Sequence, residues 1–234
     1  MSTQTQTKRP NNTLLELIFN IVIPSIILMK LSGGEYLGSV YALVVALLFP
    51  LGYGLYDFVK NKSMNFISLL GFLSTLLTGG IGLFELDVEW LAIKEAAIPS
   101  AIGLVVLISG FWGKPLIAKI LLNPILFNLD LIYQSLSDQG KTDLFKAKIQ
   151  RANHLLSITF VFSATMNYLL AKWIVISPAG TTKFNEQLGE MTMLSYPVIA
   201  IPSMIMLSAI MFYVVKSVMK LTGLKWDQIL NAAN

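Results

Sequence analysis

The side chains that could do chemistry in this chain are few, and most stand as single polar groups within apolar runs. Glu16 and Asn20 lie four residues apart, so a helix would put them on one face. A carboxylate there that faced a cavity could couple to a proton or cation. Glu16 also falls within one turn of the expected inner boundary. There it can reach headgroup water or cap the helix start, aided by the positive N-terminal dipole, and this is the preferred reading. His154 could titrate near neutral pH, although a lone interfacial histidine is more often a polar anchor. Asn167, with Thr165 nearby, is the deepest amide in its run. It could bind a ligand, but such a group more commonly hydrogen-bonds a neighbouring helix. Lys114 begins a basic stretch just after an apolar run. Lys146, Lys148 and Arg151 form a basic collar suited to anionic lipid headgroups, at about 1 kcal/mol per basic residue. Asp57 beside Lys60 and Lys62 reads as a solvated surface pair, a type that contributes little.

Other patterns are weaker. Thr78-Gly79-Gly80-Ile81-Gly82 permits close helix approach, or a loosened segment around a ligand, of which packing is the commoner. Glu85, Asp87 and Glu89 could weakly hold a divalent cation, but their spacing is no EF-hand loop and they read as a solvated turn. The chain has no cysteine and one histidine, which argues against disulfides and against thiolate or histidine metal sites. It has no Walker A, G-x-S-x-G or H-E-x-x-H motif. The expectation is a non-enzyme with no catalytic residue, metal or cofactor.

The elements that must position these residues are helices in lipid. Of the 234 residues, 55% are hydrophobic and 13% charged, where a soluble domain carries roughly 25% charge. The mean hydropathy is +0.68. A helix needs about 20 apolar residues to cross the hydrocarbon, and six stretches qualify or nearly do: Leu14–Leu31, Leu37–Tyr56, Phe66–Phe84, Leu91–Phe111, Leu155–Ile176 and Leu194–Val215. They must be helical because lipid offers the backbone no hydrogen-bond partner. With the N-terminus inside, only Lys30, Lys94, Lys172 and Lys183 of the 17 basic residues fall outside. That asymmetry favours an even number of spans with both termini in the cytoplasm. The net charge of +4 is therefore a topology signal, not one for nucleic acid. The expected fold is an all-α integral membrane protein of six transmembrane helices, N-in and C-in.

Residues 1–12 are polar and read as a disordered cytoplasmic N-terminus; 13–217 form one six-helix membrane domain; 218–234 form a cytoplasmic tail. Within the membrane domain, 114–153 is a cytoplasmic, interfacial loop between helices 4 and 5. Lys114 to Leu122 is amphipathic, Asn123-Pro124 breaks it, and Ile125 to Leu136 is amphipathic again. Gly140 and Thr142 mark a turn and an N-cap, after which a helix runs into the fifth span. Ile-Pro-Ser occurs at Ile23-Pro24-Ser25, Ile98-Pro99-Ser100 and Ile201-Pro202-Ser203, each within a predicted span. The echo could mark an inverted repeat of two three-helix halves, or arise by chance, and the long inner loop has no counterpart in the second half.

Three short patches resemble the bacterial intracellular septation protein A family: Trp112-Gly113-Lys114-Pro115-Leu116-Ile117; Gly79-Gly80-Ile81-Gly82-Leu83-Phe84 with the acidic turn and Trp90 to Lys94; and Asn167-Tyr168-Leu169-Leu170-Ala171. The likeness runs in outline from Tyr36 to Tyr213, with a longer loop after Ile117 and an additional first helix. It implies a multi-pass protein of the bacterial cytoplasmic membrane, linked to envelope maintenance or division, and carries over no active-site residue; Lys114, Pro115 and Asn167 match its pattern. Its expected partners are anionic lipids on the cytoplasmic face and envelope or division membrane proteins. The alternative is a small secondary transporter or lipid flippase acting as a homodimer, suggested by the Ile-Pro-Ser echoes, the Gly-rich third helix and Glu16 with Asn20; Glu16 and Asn167 are its first suspects if an aqueous cavity reaches mid-membrane.

Overall fold

The computed structural model describes residues 17–61 and 66–231. Glu16 and Lys62 lie outside the described residues, as do the side chains of Asp57 and Lys60. The described chain is helical throughout, broken by turns and by a single isolated antiparallel bridge between Phe127 and Leu230. A π-helical turn, Ile18–Val22, leads into α1 (Ile23–Leu31). There follow α2 (Gly38–Asn61), α3 (Phe66–Leu83), α4 (Glu89–Phe111), α5 (Leu116–Leu121), α6 (Leu129–Asp138) and α7 (Thr142–Ile174). Then come α8 (Thr182–Ser195), a second π-helical turn (Tyr196–Ala200), α9 (Ile201–Thr222) and α10 (Trp226–Ile229).

Four helical runs are long and apolar enough to cross a membrane: Gly38–Tyr56, Glu89–Phe111, Thr142–Ile174 and Thr182–Thr222. Ile18–Leu31 and Leu69–Leu83 are apolar but shorter. Large apolar side chains face outward along these runs, among them Leu77 at 56% exposure, Val161 at 59% and Met204 at 68%. Water would penalise such a surface, whereas hydrocarbon would not. The 33 residues of α7 span about 50 Å, well beyond the hydrocarbon thickness. Its polar first turns therefore project past any bilayer that its apolar half crosses.

Among the described residues, contacts gather into two compact units, one made of the chain up to Leu91 with Leu170–Leu194, the other of Ala92–Leu169 with the chain from Ser195 on. In the first, α1 packs on α2 and α2 on α3. The glycines of α3 are contact points. A Cβ on Gly79 would sit 2.7 Å from Leu47 Cδ1, and one on Gly82 would run into Leu43 and come within 3.3 Å of Phe184. The Gly-rich stretch is thus filled by neighbouring side chains. Helix α8 lies on α1, burying Phe184, Asn185, Leu188 and Met191. The expectation for the sixth span began at Leu194; its helical run instead starts at Thr182 and is interrupted only by the π turn. The polar face of α8 masked it, because hydropathy averages over a helix that buries only one side.

The second unit has an apolar core to which α5, α6 and α10 contribute Ile117 and Leu121, Ile132 and Leu136, and Ile229. Asn128 begins α6 as its N-cap, accepting from the amide of Leu131 at 3.1 Å. Gly223 ends α9 in the left-handed region at φ 74°, its N–H on Met219 O, a geometry that disfavours any residue with a Cβ. The chain then turns back. Asn128 N donates to Ile229 O at 2.8 Å and Asn231 N to Leu126 O at 3.0 Å. Residues past 218, expected as a tail, here complete α9 and seal the core with Ile229, fully buried.

Candidate functional site

Two elements of the second unit meet at their charged ends. The start of α7 lies beside the end of α9. Lys141 Nζ donates to Leu221 O at 3.0 Å and Gln139 Nε2 to Thr222 O at 2.7 Å, satisfying carbonyls that the helix end leaves free. Next to this join is a cleft of about 370 Å³ lined by Leu144 and Lys148 from α7 and by Tyr213, Lys216, Ser217, Lys220 and Leu221 from α9. The spacing explains the lining: Leu144 and Lys148 are one turn apart, and so are Tyr213, Ser217 and Leu221.

The cleft is strongly cationic. Lys148 Nζ lies 6.0 Å from the Tyr213 ring centroid and Lys216 Nζ 5.8 Å from that of Phe212, both within reach of cation–π attraction. Among the described residues no carboxylate pairs with Lys148, Lys216 or Lys220. Lys146, by contrast, is held by Asp143 at 2.8 Å. Ser217 Oγ donates to Tyr213 O at 2.7 Å, while the Tyr213 hydroxyl is enclosed with no partner.

A second polar cluster shapes the same unit. Asn153 is fully buried; its Nδ2 donates to Val106 O at 2.6 Å and its Oδ1 accepts from Ile117 N at 3.2 Å. Ser109 Oγ accepts from Leu116 N at 3.1 Å. Together these side chains pin the Trp112–Ile117 turn against α7, with Gly113 at φ 69°. Gly110 permits the approach, since a Cβ there would fall 2.9 Å from Asn153 Nδ2. A larger, mainly apolar cleft of about 470 Å³ runs beneath this turn, with Pro115, Tyr133, Phe145 and Gln150 in its wall.

The residues singled out from sequence do not converge on one site. Lys148 enters the cationic cleft. Lys146 borders the apolar one, and Arg151 is exposed and lines neither. Lys114 is exposed on the pinned turn. His154 is half-buried, its ring 6.1 Å from that of Phe111 and its Nε2 3.2 Å from Gln150 Nε2. Asn167 bonds its own helix, Nδ2 to Ser163 O at 2.8 Å. Asn20 lies in the first π turn, its Oδ1 enclosed and without a partner. The acidic turn is engaged by its neighbours: Asp87 Oδ1 accepts from Glu89 N at 2.8 Å, Glu89 pairs with Lys172, and the Glu85 side chain lies against Gly180. No group of three or more metal-ligating side chains occurs among the described residues. Sequence reasoning missed Asn153 as the clasp and Tyr213, Lys216 and Lys220 as partners of Lys148. The i, i+3/i+4 spacing of the last three was the available signal.

No known protein family, curated protein or solved structure matches this chain.

Proposed function

We propose that the chain is a non-enzymatic multi-pass protein of the bacterial cytoplasmic membrane that supports envelope integrity or division through contacts with anionic lipids and other membrane proteins. In this reading Ile18–Leu31 and Leu69–Leu83 join the four longer runs as spans, giving six, with both termini and the α4–α7 connection on the cytoplasmic side. The observation that carries it is the cleft at Lys148, Lys216 and Lys220, three lysines without a carboxylate partner among the described residues. In this reading it lies where the polar start of α7 leaves the hydrocarbon. The resemblance of the Trp112–Ile117 turn and its companion patches to the septation protein A family supports the envelope role. The test is deletion of the gene followed by complementation. Envelope stress in the deletion, cured by the native chain and not by Lys216→Glu/Lys220→Glu, is expected. An unstressed deletion strain, with no envelope protein recovered in mild detergent, would remove the proposal.

A transporter or flippase, working as a dimer, is the second reading, and one observation favours it. In two of the three Ile-Pro-Ser echoes a π turn ends at the residue before the tripeptide, and the serine hydroxyl of each, Ser25 and Ser203, is enclosed without a partner. Proline withholds a donor from the preceding turn, so each break also frees backbone carbonyls. Broken helices with free carbonyls form ion and substrate sites in transporters. Because the chain lacks cysteine, single cysteines at Asn20, Ser25 and Ser203 can be probed with an impermeant thiol reagent. Labelling at all three would favour transport, and protection at all three would remove this reading.

A further inference from the structure

We infer that the cleft between α7 and α9 is a discrete binding site for a phosphoryl group, the one carried by an anionic glycerophospholipid, and not merely part of a diffuse basic surface. The inference deepens the proposed function and rests on its reading that this end of the second unit meets lipid headgroups.

Other basic side chains at this end of the unit are committed or scattered. Lys141 is spent on Leu221 O and Lys146 on Asp143. Lys114, Lys119 and Arg151 are exposed and line neither cleft. Lys148, Lys216 and Lys220 differ in bordering one concavity together, where among the described residues no carboxylate pairs with them. Three like charges around one cleft repel each other, and helix packing fixes their backbones. An anion at the centre relieves that repulsion and gains ammonium hydrogen bonds, which are strongest to charged oxygens. A phosphoryl group has the oxygens to meet more than one ammonium at once.

The rest of the lining argues for a lipid as its source. Leu144 and Leu221 border the same cleft, and Leu144 is 58% exposed. A free anion gains nothing from these side chains, whereas the glycerol and first methylenes of a lipid would cover them. The Tyr213 ring, 6.0 Å from Lys148 Nζ, holds that lysine over the cleft and makes Tyr213 a positioning residue.

The experiment uses the full chain in a neutral detergent and measures binding of a short-chain phosphatidylglycerol, with short-chain phosphatidylcholine and inorganic phosphate as comparison ligands. Two double variants remove the same charge: Lys216→Gln/Lys220→Gln inside the cleft and Lys119→Gln/Arg151→Gln outside it. All four positions are exposed, so both variants should fold, which their melting curves check. The inference expects the cleft variant to bind phosphatidylglycerol on the order of 30-fold more weakly and the outer variant nearly as well as the native chain. Equal losses in the two variants would mean a diffuse basic surface and overturn the site; the envelope role would then still stand on its own complementation test. Inorganic phosphate binding as tightly as phosphatidylglycerol would overturn the lipid source. Equal binding of phosphatidylcholine, with no loss in the cleft variant, would overturn the phosphoryl site altogether.

Discussion

Replacing Asn153 by alanine tests whether a buried amide holds the second unit together. The side chain is fully buried and makes two hydrogen bonds distant in sequence, to Val106 O at 2.6 Å and from Ile117 N at 3.2 Å. Each such bond contributes about 0.5–1.5 kcal/mol net, and a buried amide left without a partner costs about 1–3 kcal/mol. Val106 O keeps Ser109 Oγ at 2.6 Å, so the Ile117 amide bears most of the loss. The total for Asn153→Ala is then about 2–4 kcal/mol. Asn153→Asp should cost at least as much. It keeps the acceptor for Ile117 N but sets an oxygen against Val106 O. Asn167→Ala is the internal contrast. Its amide bonds only Ser163, one turn back in the same helix, so its loss should stay within about 0.5 kcal/mol. Denaturant titration of the three variants in the same lipid or detergent measures the differences. Equal costs for Asn153→Ala and Asn167→Ala would refute the clasp.

Gly189→Ala should destabilise the first unit by about 1–3 kcal/mol, since its Cβ would press within 2.8 Å of Ser25 O, a backbone atom that cannot swing aside; Gly80→Ala, with nothing nearer than Phe84 at 4.0 Å, should be neutral by the same melting assay. Gln187 Oε1 accepts from Ile176 N at 3.1 Å and Ser177 N at 2.9 Å, so Gln187→Leu should cost about 1–3 kcal/mol while Gln187→Glu preserves most of the stability. Tyr213→Phe removes an enclosed hydroxyl that has no partner, and should raise the melting temperature in a neutral detergent. Ile229→Ala should cost about 2–5 kcal/mol and expose the α5–α6 connection to proteolysis, seen as faster cleavage between 122 and 129.

The helices were legible in the sequence where apolar length or a cap announced them. Asn123-Pro124 breaks α5 from α6, and Gly140 precedes the start of α7 at Thr142, because turn chemistry is local. Helix α8 was not legible: its polar residues Asn185 and Gln187 look like loop until α1 and the end of α7 supply their partners. The same limit hid the cationic cleft. Lys148 lies 65 positions or more from Tyr213, Lys216 and Lys220 in the chain, and only antiparallel packing of α7 on α9 makes them neighbours. Spacing shows which residues share a face, not which faces meet.

Where the polar groups are spent decides where function can reside. Asn153 is consumed by the Trp112–Ile117 turn, Asn185 by Ser32 and Ser39, Gln187 by the end of α7, and Ser157 by Gly103 O. Even Lys94 and Glu95, with side chains 9% and 23% exposed, lie 2.6 Å apart. Groups committed in this way serve as helix glue, and a ligand would have to break bonds to use them. Among the described residues, two groups of uncommitted polar atoms bear on function: the enclosed ones at or beside the π turns, Asn20, Ser25 and Ser203, and the three lysines of the α7–α9 cleft. The first kind is small, neutral and shut away from solvent, suited to a water or to a transient opening of the helix. The second is charged, open and bordered by apolar side chains. An anionic lipid could reach it without unpacking a helix, and that accessibility favours the proposed contact at this cleft of the second unit over the committed polar groups of its core.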